Sequence, residues 1–256
     1  MCELENLIGL SVVKTKVKEI TTYLERRGKK DTNITLHMCF TGNPGVGKTT
    51  VARIIARILY EAGVIKRNLL VETDRGGLVG KYVGHTADKT DKIIQSAMGG
   101  VLFIDEAYSL FSGSENDFGH EAVATLVKQM EDNRDKFVCI LAGYTNEMNS
   151  MLDMNPGLRD RIQFYINFPD YNENELLQIF EKLCADNKYE LSKVAQDTLI
   201  GEFSRVIAAK SRNFSNGRFA RKIFERAQMK QANRTCDDTI TDEDIKTVFA
   251  EPDILA

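Results

Sequence analysis

Ten residues, TGNPGVGKTT at 41–50, restrict what this chain can fold into more than any other stretch. They carry the pattern G-x-x-x-x-G-K-T from Gly42 to Thr49. The apolar run ITLHMCFTG (34–42) precedes them, and TTVARIIARILYEAG (49–63), apolar at helical spacing, follows. Strand, glycine-rich turn and helix in that order form the opening unit of a parallel α/β sheet. Glycines let consecutive backbone N–H groups turn inward around phosphate oxygens, and the helix start adds the positive end of its dipole. Gly42, Asn43, Pro44, Gly45, Val46, Gly47, Lys48, Thr49 and Thr50 are therefore the candidate phosphate cradle. Lys48 is placed to reach the β- and γ-phosphates of ATP, and the Thr49 hydroxyl to ligate Mg²⁺. The alternative, a glycine-rich turn that binds nothing, does not account for the full motif in this context.

The first two-thirds of the chain repeats the alternation. LLVETD (69–74), VLFIDE (101–106), FVCILAG (137–143) and FYINFP (164–169) read as strands, with helical patterns at HTADKTDKIIQSAM (85–98) and HEAVATLVKQMED (120–132). The last third is helical over 173–187, 192–208 and 217–234, with no convincing strand. Pro169 stops a strand, and Asp170 or Asn172 can cap the helix that follows. The expected organisation is a large α/β subdomain at 1–170 and a small helical one at 171–256.

Composition narrows the partners. A formal net charge of −3 over 256 residues gives no general pull toward nucleic acid or anionic membranes. Five scattered cysteines without a C-x-x-C pair read as reduced thiols of a cytoplasmic protein, and three distant histidines argue against a metal cage. No apolar run is long enough to span a bilayer.

GGVLFIDEAYSL (99–110) ends an apolar strand in two adjacent carboxylates, Asp105 and Glu106. At the carboxyl end of a parallel strand they open where the phosphates lie. Asp105 can hold the hydration shell of Mg²⁺, and Glu106 can polarise the water that attacks the γ-phosphate. Two solvated acids at a strand exit is the bland reading, and the upstream cradle weighs against it. A further feature needs explaining: GLVGKYVGHTADKT (77–90) presents Tyr82 and Val83 between Gly80 and Gly84, a poor setting for burying an aromatic ring.

These blocks resemble the AAA+ ATPases, and most closely the group holding red-type rubisco activase and stage V sporulation protein K. The resemblance rests on ELENLIGL, LHMCFTGNPGVGKTTVARI, GGLVGKYVGHTADKT, GGVLFIDEAYSL, EDNRDKFVCILAGY, NPGLRDRI and NFPDY, in that order along nearly the whole chain. It implies a five-stranded parallel sheet of order 5-1-4-3-2 with a C-terminal helical lid. It also implies a homo-oligomeric ring, usually a hexamer, with ATP at each subunit interface.

The resemblance gives further residues their expected roles. Ile8 and Gly9 belong to a segment that packs on adenine; read without it, the segment is equally well an apolar helix entry broken by Gly9. Thr145, or Asn146 beside it, orients the lytic water from the tip of a strand lying between the cradle and acidic strands. Arg161 is the finger that reaches a neighbour's γ-phosphate, with Arg159 bracing the interface or taking its place. Arg218, with Arg221 as runner-up, points back at the phosphates of its own subunit.

The resemblance also answers the question of Tyr82. Lys81, Tyr82, Val83 and Gly84 match the channel-facing loop of AAA+ remodellers, whose aromatic–hydrophobic–glycine triplet grips an extended polypeptide. Gly80 and Gly84 are expected to let that loop move, and the loop at 111–119, with Phe111 and Phe118, is a second channel candidate. The leading expectation is an ATP-driven remodeller of a protein client. A nucleic-acid motor on the same core would carry basic channel loops or an inserted hairpin before the sensing strand, which the chain lacks. A nucleotide-controlled scaffold is the remaining alternative.

Overall fold

A computed structural model describes residues 2–27, 35–82, 84–111, 118–209, 214–234 and 237–254. In chain order the elements begin α1 (Cys2–Glu5), α2 (Ser11–Arg27), β1 (Met38–Thr41), α3 (Lys48–Glu61), β2 (Leu70–Thr73), α4 (Arg75–Leu78) and α5 (His85–Ser96). They continue β3 (Val101–Ile104), α6 (Gly119–Asp132), β4 (Val138–Gly143), α7 (Thr145–Met154), α8 (Pro156–Arg161) and β5 (Phe164–Asn167). The C-terminal part holds α9 (Glu173–Asp186), β6 (Glu190–Leu191), α10 (Lys193–Ala208), α11 (Gly217–Arg234), β7 (Thr239–Ile240) and α12 (Asp242–Phe249).

The five long-range strands form one parallel sheet in the order β2-β3-β4-β1-β5, the expected 5-1-4-3-2 read from the other edge. The central strands β3 and β4 are buried along their whole length, as their unbroken apolar runs require of a sheet covered on both faces. On one face Leu102, Ile104, Cys139 and Leu141 pack with Ile94 of α5, Leu126 and Met130 of α6, and Met148 and Leu152 of α7. The edge strands β2 and β5 are only partly buried and correspondingly mix polar residues into the run.

A buried polar bridge ties the residue ahead of β1 to β4 and α6. His37 Nδ1 accepts from the Cys139 N–H at 2.9 Å, which puts the ring proton on Nε2, facing the Met130 carbonyl at 3.2 Å. Burial pushes the imidazole pKa down to about 4, so the ring is neutral at neutral pH.

By packing, the chain divides into two compact units. One comprises Met1–Asn6, Ser11–Gly42 and Lys48–Phe168; the other comprises Leu7–Leu10, Asn43–Gly47 and Pro169–Ala256. The second unit is built on Leu176, Phe180, Leu199, Phe203, Phe219, Ile223, Phe224 and Val248, all buried, with Phe180 edge-on to Phe224 at 5.6 Å. Asn172, not Asp170, caps α9: its side chain accepts from Glu175 N while Glu175 accepts from Asn172 N. The reading of a strandless last third is corrected here. β6 and β7, two residues each, pair in parallel, Glu190 with Thr239 and Leu191 with Ile240. Two residues are too few for an alternating pattern to register.

Candidate functional site

The acidic strand continues its pairing one residue past β3, where the Asp105 N–H donates to Thr73 O at 2.8 Å. The chain then turns sharply. Glu106 adopts the left-handed conformation (φ 47°, ψ 42°), and its N–H donates to Asp105 Oδ1 at 3.0 Å. For a residue with a Cβ this conformation costs on the order of 1 kcal/mol, and such strain is common where side-chain placement is functional. Here it leaves the Glu106 carboxylate exposed while the next residue, Ala107, dives into the core. Tyr108 follows, its hydroxyl pushed up to about 12 by burial and by the nearby Glu106 carboxylate. The ring packs on the tip of β4, where a Cβ on Gly143 would stand 2.7 Å from Tyr108 Cδ1. Thr145 and Asn146, both exposed, open α7 directly after that tip. β4 does lie between the cradle and acidic strands, as expected.

At the end of β1, Gly42 N donates to Gly143 O at 3.1 Å and Lys48 Nζ donates to Gly42 O at 2.7 Å. A Cβ on Gly42 (φ 149°) would meet Phe168 O at 2.5 Å, so only glycine fits. Lys48, Thr49 and Thr50 form the first turn of α3, whose leading N–H groups have no carbonyl partner within the helix. Within the second unit, Gly45 and Gly47 take positive φ (72° and 93°). The Asn43 side-chain amide lies 2.9 Å from each oxygen of Asp170. Left-handed glycines at 45 and 47 let the loop's own backbone N–H groups gather on one anion.

The other predicted residues fall in several places. Ile8 is half-buried, and Gly9 (φ 61°) leads into the buried Leu10 (φ 56°), a backbone break between α1 and α2. A Cβ on Gly9 would stand 2.3 Å from Glu175 Oε1. Arg218 and Arg221 are exposed on the first turns of α11. Arg161, by contrast, turns inward. Its side chain is 25% exposed, Nη1 donates to Gly157 O at 2.7 Å, and Nε lies 3.4 Å from Glu131 Oε2, within ion-pair range but poorly aligned for a hydrogen bond. Arg159, which bonds Asp153 at 2.6 Å, is the more exposed of the two at 47%.

The loop before α5 is anchored at its base. Lys89 Nζ donates to Gly76 O and Val79 O, Thr90 Oγ1 to Leu78 O, and Gly80 N to Thr86 Oγ1. Gly80 is therefore not the swivel expected of it: it is buried, and a Cβ there would meet His85 C at 2.9 Å. Gly84 (φ 79°) has nothing within 4 Å of a would-be Cβ. Lys81 is exposed, and Tyr82 is 69% exposed with one edge-on contact to the His85 ring at 5.7 Å. Val83 lies outside the described residues, as does most of the second candidate loop, 112–117. Phe111 is half-buried against His120.

The sequence model of the ATPase family associated with various cellular activities (AAA) matches residues 38–170, and that of the AAA lid domain matches 172–254. The chain belongs to the AAA ATPase family. It is 44% identical to stage V sporulation protein K of Bacillus subtilis, covering 91% of this chain and 74% of that protein. It is 43% identical to the chloroplastic ribulose bisphosphate carboxylase/oxygenase activase of Cyanidioschyzon merolae, covering 97% and 87%. Among solved structures, a Thermotoga maritima RuvB mutant superposes with a TM-score of 0.68 at 24% identity over 95% of this chain and 70% of that one. The FIGL-1 AAA domain in complex with ADP gives 0.65 at 18%, over 94% and 81%. Membership of an AAA ATPase family implies nucleotide binding with a divalent metal, typically Mg²⁺. Among the described residues no helix is long and apolar enough to cross a membrane.

Sequence reasoning missed three polar neighbours of the glycine loop: Asp170, Tyr171 and Asn216. Asp170 reads in the sequence only as a helix cap, and Asn216 stands two residues before Arg218. Contacts over such separations leave no periodicity to read.

Proposed function

We propose that this AAA protein hydrolyses Mg²⁺-ATP as a cytoplasmic homo-oligomeric ring, a hexamer, and uses the energy to remodel a protein client. Its large subdomain is 1–170 and its lid 171–256. Residues 42–50 hold the phosphates, with Lys48 beside the β/γ bridge and Ile8–Gly9 against the base. Thr49 and, through water, Asp105 would hold Mg²⁺, which would supply positive charge beside the phosphates. The Glu106 carboxylate accepts the proton of the water that adds to the γ-phosphorus, and Thr145 or Asn146 orients that water; ADP and phosphate leave. Arg161 of the neighbouring subunit stabilises the transition-state charge, which requires it to leave Glu131; Arg159 is the alternative. Arg218, with Arg221 behind it, is assigned to the phosphates.

The observation that carries the remodelling part is Tyr82, bare on a loop whose base is bonded in place. An exposed aromatic ring beside Lys81 suits gripping an extended chain without reading its sequence. The inward Arg161 favours a second reading, a nucleotide-controlled scaffold. ATP hydrolysis per subunit, measured against protein concentration, tests the ring. Specific activity that climbs steeply supports sites completed between subunits; activity that stays flat down to the monomer removes the finger and the mechanical basis together.

A further inference from the structure

We infer that Asn216, with Tyr171 and the Gly217 amide, sets the polarity of the phosphate loop by holding its carbonyl oxygens, leaving its N–H groups for phosphate. The inference rests on the phosphate-binding reading of residues 43–47 given above. In a trans peptide the C=O of one residue and the N–H of the next point in opposite directions. Pro44 O accepts from Asn216 Nδ2 at 3.3 Å, Gly45 O from Gly217 N at 3.1 Å, and Val46 O from Tyr171 Oη at 3.3 Å. Each bond turns the following N–H, those of Gly45, Val46 and Gly47, to the other side of the loop. Consecutive amides presented on one side make an anion-binding concavity.

Asn216 is shaped for this task. It is fully buried and sits at φ 51°, a left-handed conformation that asparagine tolerates better than most residues with a Cβ. Besides holding Pro44 O, its Nδ2 donates to Asp170 Oδ1 at 2.8 Å, and its Oδ1 accepts from Tyr171 N at 3.0 Å. Both amide protons and the amide oxygen are thus committed. Asp170 in turn receives the Asn43 amide, so the loop's first side chain is tied to the same hub. The approach is backbone against backbone: a Cβ on Gly45 would stand 2.0 Å from Ser215 O. Burial makes an unpaired carbonyl or amide costly, so loss of one partner is felt by the loop.

Asn216 is a positioning residue; the loop it holds is what meets the nucleotide. The test uses the whole chain and compares dissociation constants for ADP, by titration calorimetry, with inhibition constants for adenosine, which has no phosphate. Asn216→Gly suits the positive-φ backbone and removes the side-chain amide with its methylene; ADP affinity is expected to weaken about tenfold while adenosine moves less than about twofold. Tyr171→Phe removes one hydroxyl and is expected to weaken ADP about threefold with the same selectivity. A merely structural role would lower the melting midpoint and shift both ligands alike, and that result overturns the inference. Unchanged ADP binding in both variants overturns it too. If Asn216→Gly fails to fold, Tyr171→Phe alone decides: a selective loss of ADP supports the inference, and none overturns it. Wild-type protein that binds no ADP would instead overturn the phosphate-binding reading on which this rests.

Discussion

Two glycine-rich loops leave the same parallel sheet, one after β1 and one after β2 and α4, and they use their glycines in opposite ways. In residues 43–47 successive carbonyls are held and Gly45 has no room for a methyl group. In the loop before α5, Lys89, Thr90 and Thr86 hold the base, while Tyr82 stands bare and Gly84 has open space around it. Gly80, at the join, behaves like the first loop: it is glycine for close approach. A glycine in sequence signals backbone freedom only where its surroundings are empty; elsewhere it signals contact. The first loop is built to hold a geometry, and the second to present a side chain.

The comparison can be broken at several points. The largest effect is expected from Glu106→Gln, which should lower kcat by about a thousandfold, within the range a general base supplies, with ADP affinity essentially kept. A loss of binding equal to the loss of rate would mean that the left-handed turn supports the cradle rather than the chemistry. Next, Gly45→Ala should destabilise by about 1–3 kcal/mol through overpacking and weaken ATP binding strongly. Gly84→Ala should cost on the order of 1 kcal/mol for the left-handed backbone alone and leave ATP binding intact. Equal effects of the two on nucleotide affinity would erase the distinction drawn between the loops.

Acidification tests the buried histidine beside β1. His37 titrates near 4 in the folded chain against 6.5 for an unperturbed histidine, so the unfolded chain takes up a proton first as the pH falls. Its contribution is complete above pH 6.5 and is lost toward pH 4, at up to ~1.4 kcal/mol per pH unit. Urea midpoints between pH 7 and 5 should fall in the wild type and fall less in His37→Gln. The smallest effect on the protein itself is expected of Tyr82→Ala: stability within about 0.5 kcal/mol and ATP hydrolysis within about twofold, with work on a client lost. A destabilisation above ~2 kcal/mol would place the ring in a packed setting. Retained client work would favour the scaffold reading.

What could be read beforehand divides along physical lines. Local signals carried the fold: VLFI and VCILAG are continuous apolar runs, α3 and α6 have clear helical spacing, and the motif at 42–49 fixes a strand–turn–helix. The short strands β6 and β7 have no period to detect. α12 was also missed, although Thr241 and Asp244 spell a capping box at its start. At the candidate site, the residue types and their order were legible. The hub of Asp170, Tyr171 and Asn216 was not, because its members reach the loop across as many as 172 positions. Nor does an arginine's spacing reveal that Arg161 folds back onto Gly157 and Glu131.

Burial of the thiols gives each unit its own reporter. Cys39 and Cys139 sit fully buried on adjacent strands, and Cys184 is buried on α9 in the other unit. Removal from water pushes all three thiol pKa values well up, to about 12 for Cys39 and Cys184. Almost no thiolate exists at neutral pH, and a reagent reaches none of them in the closed state. Alkylation at each, read peptide by peptide over time, therefore measures how often that unit opens. The two rates, with and without ATP, would reveal whether nucleotide steadies one half of the molecule or both.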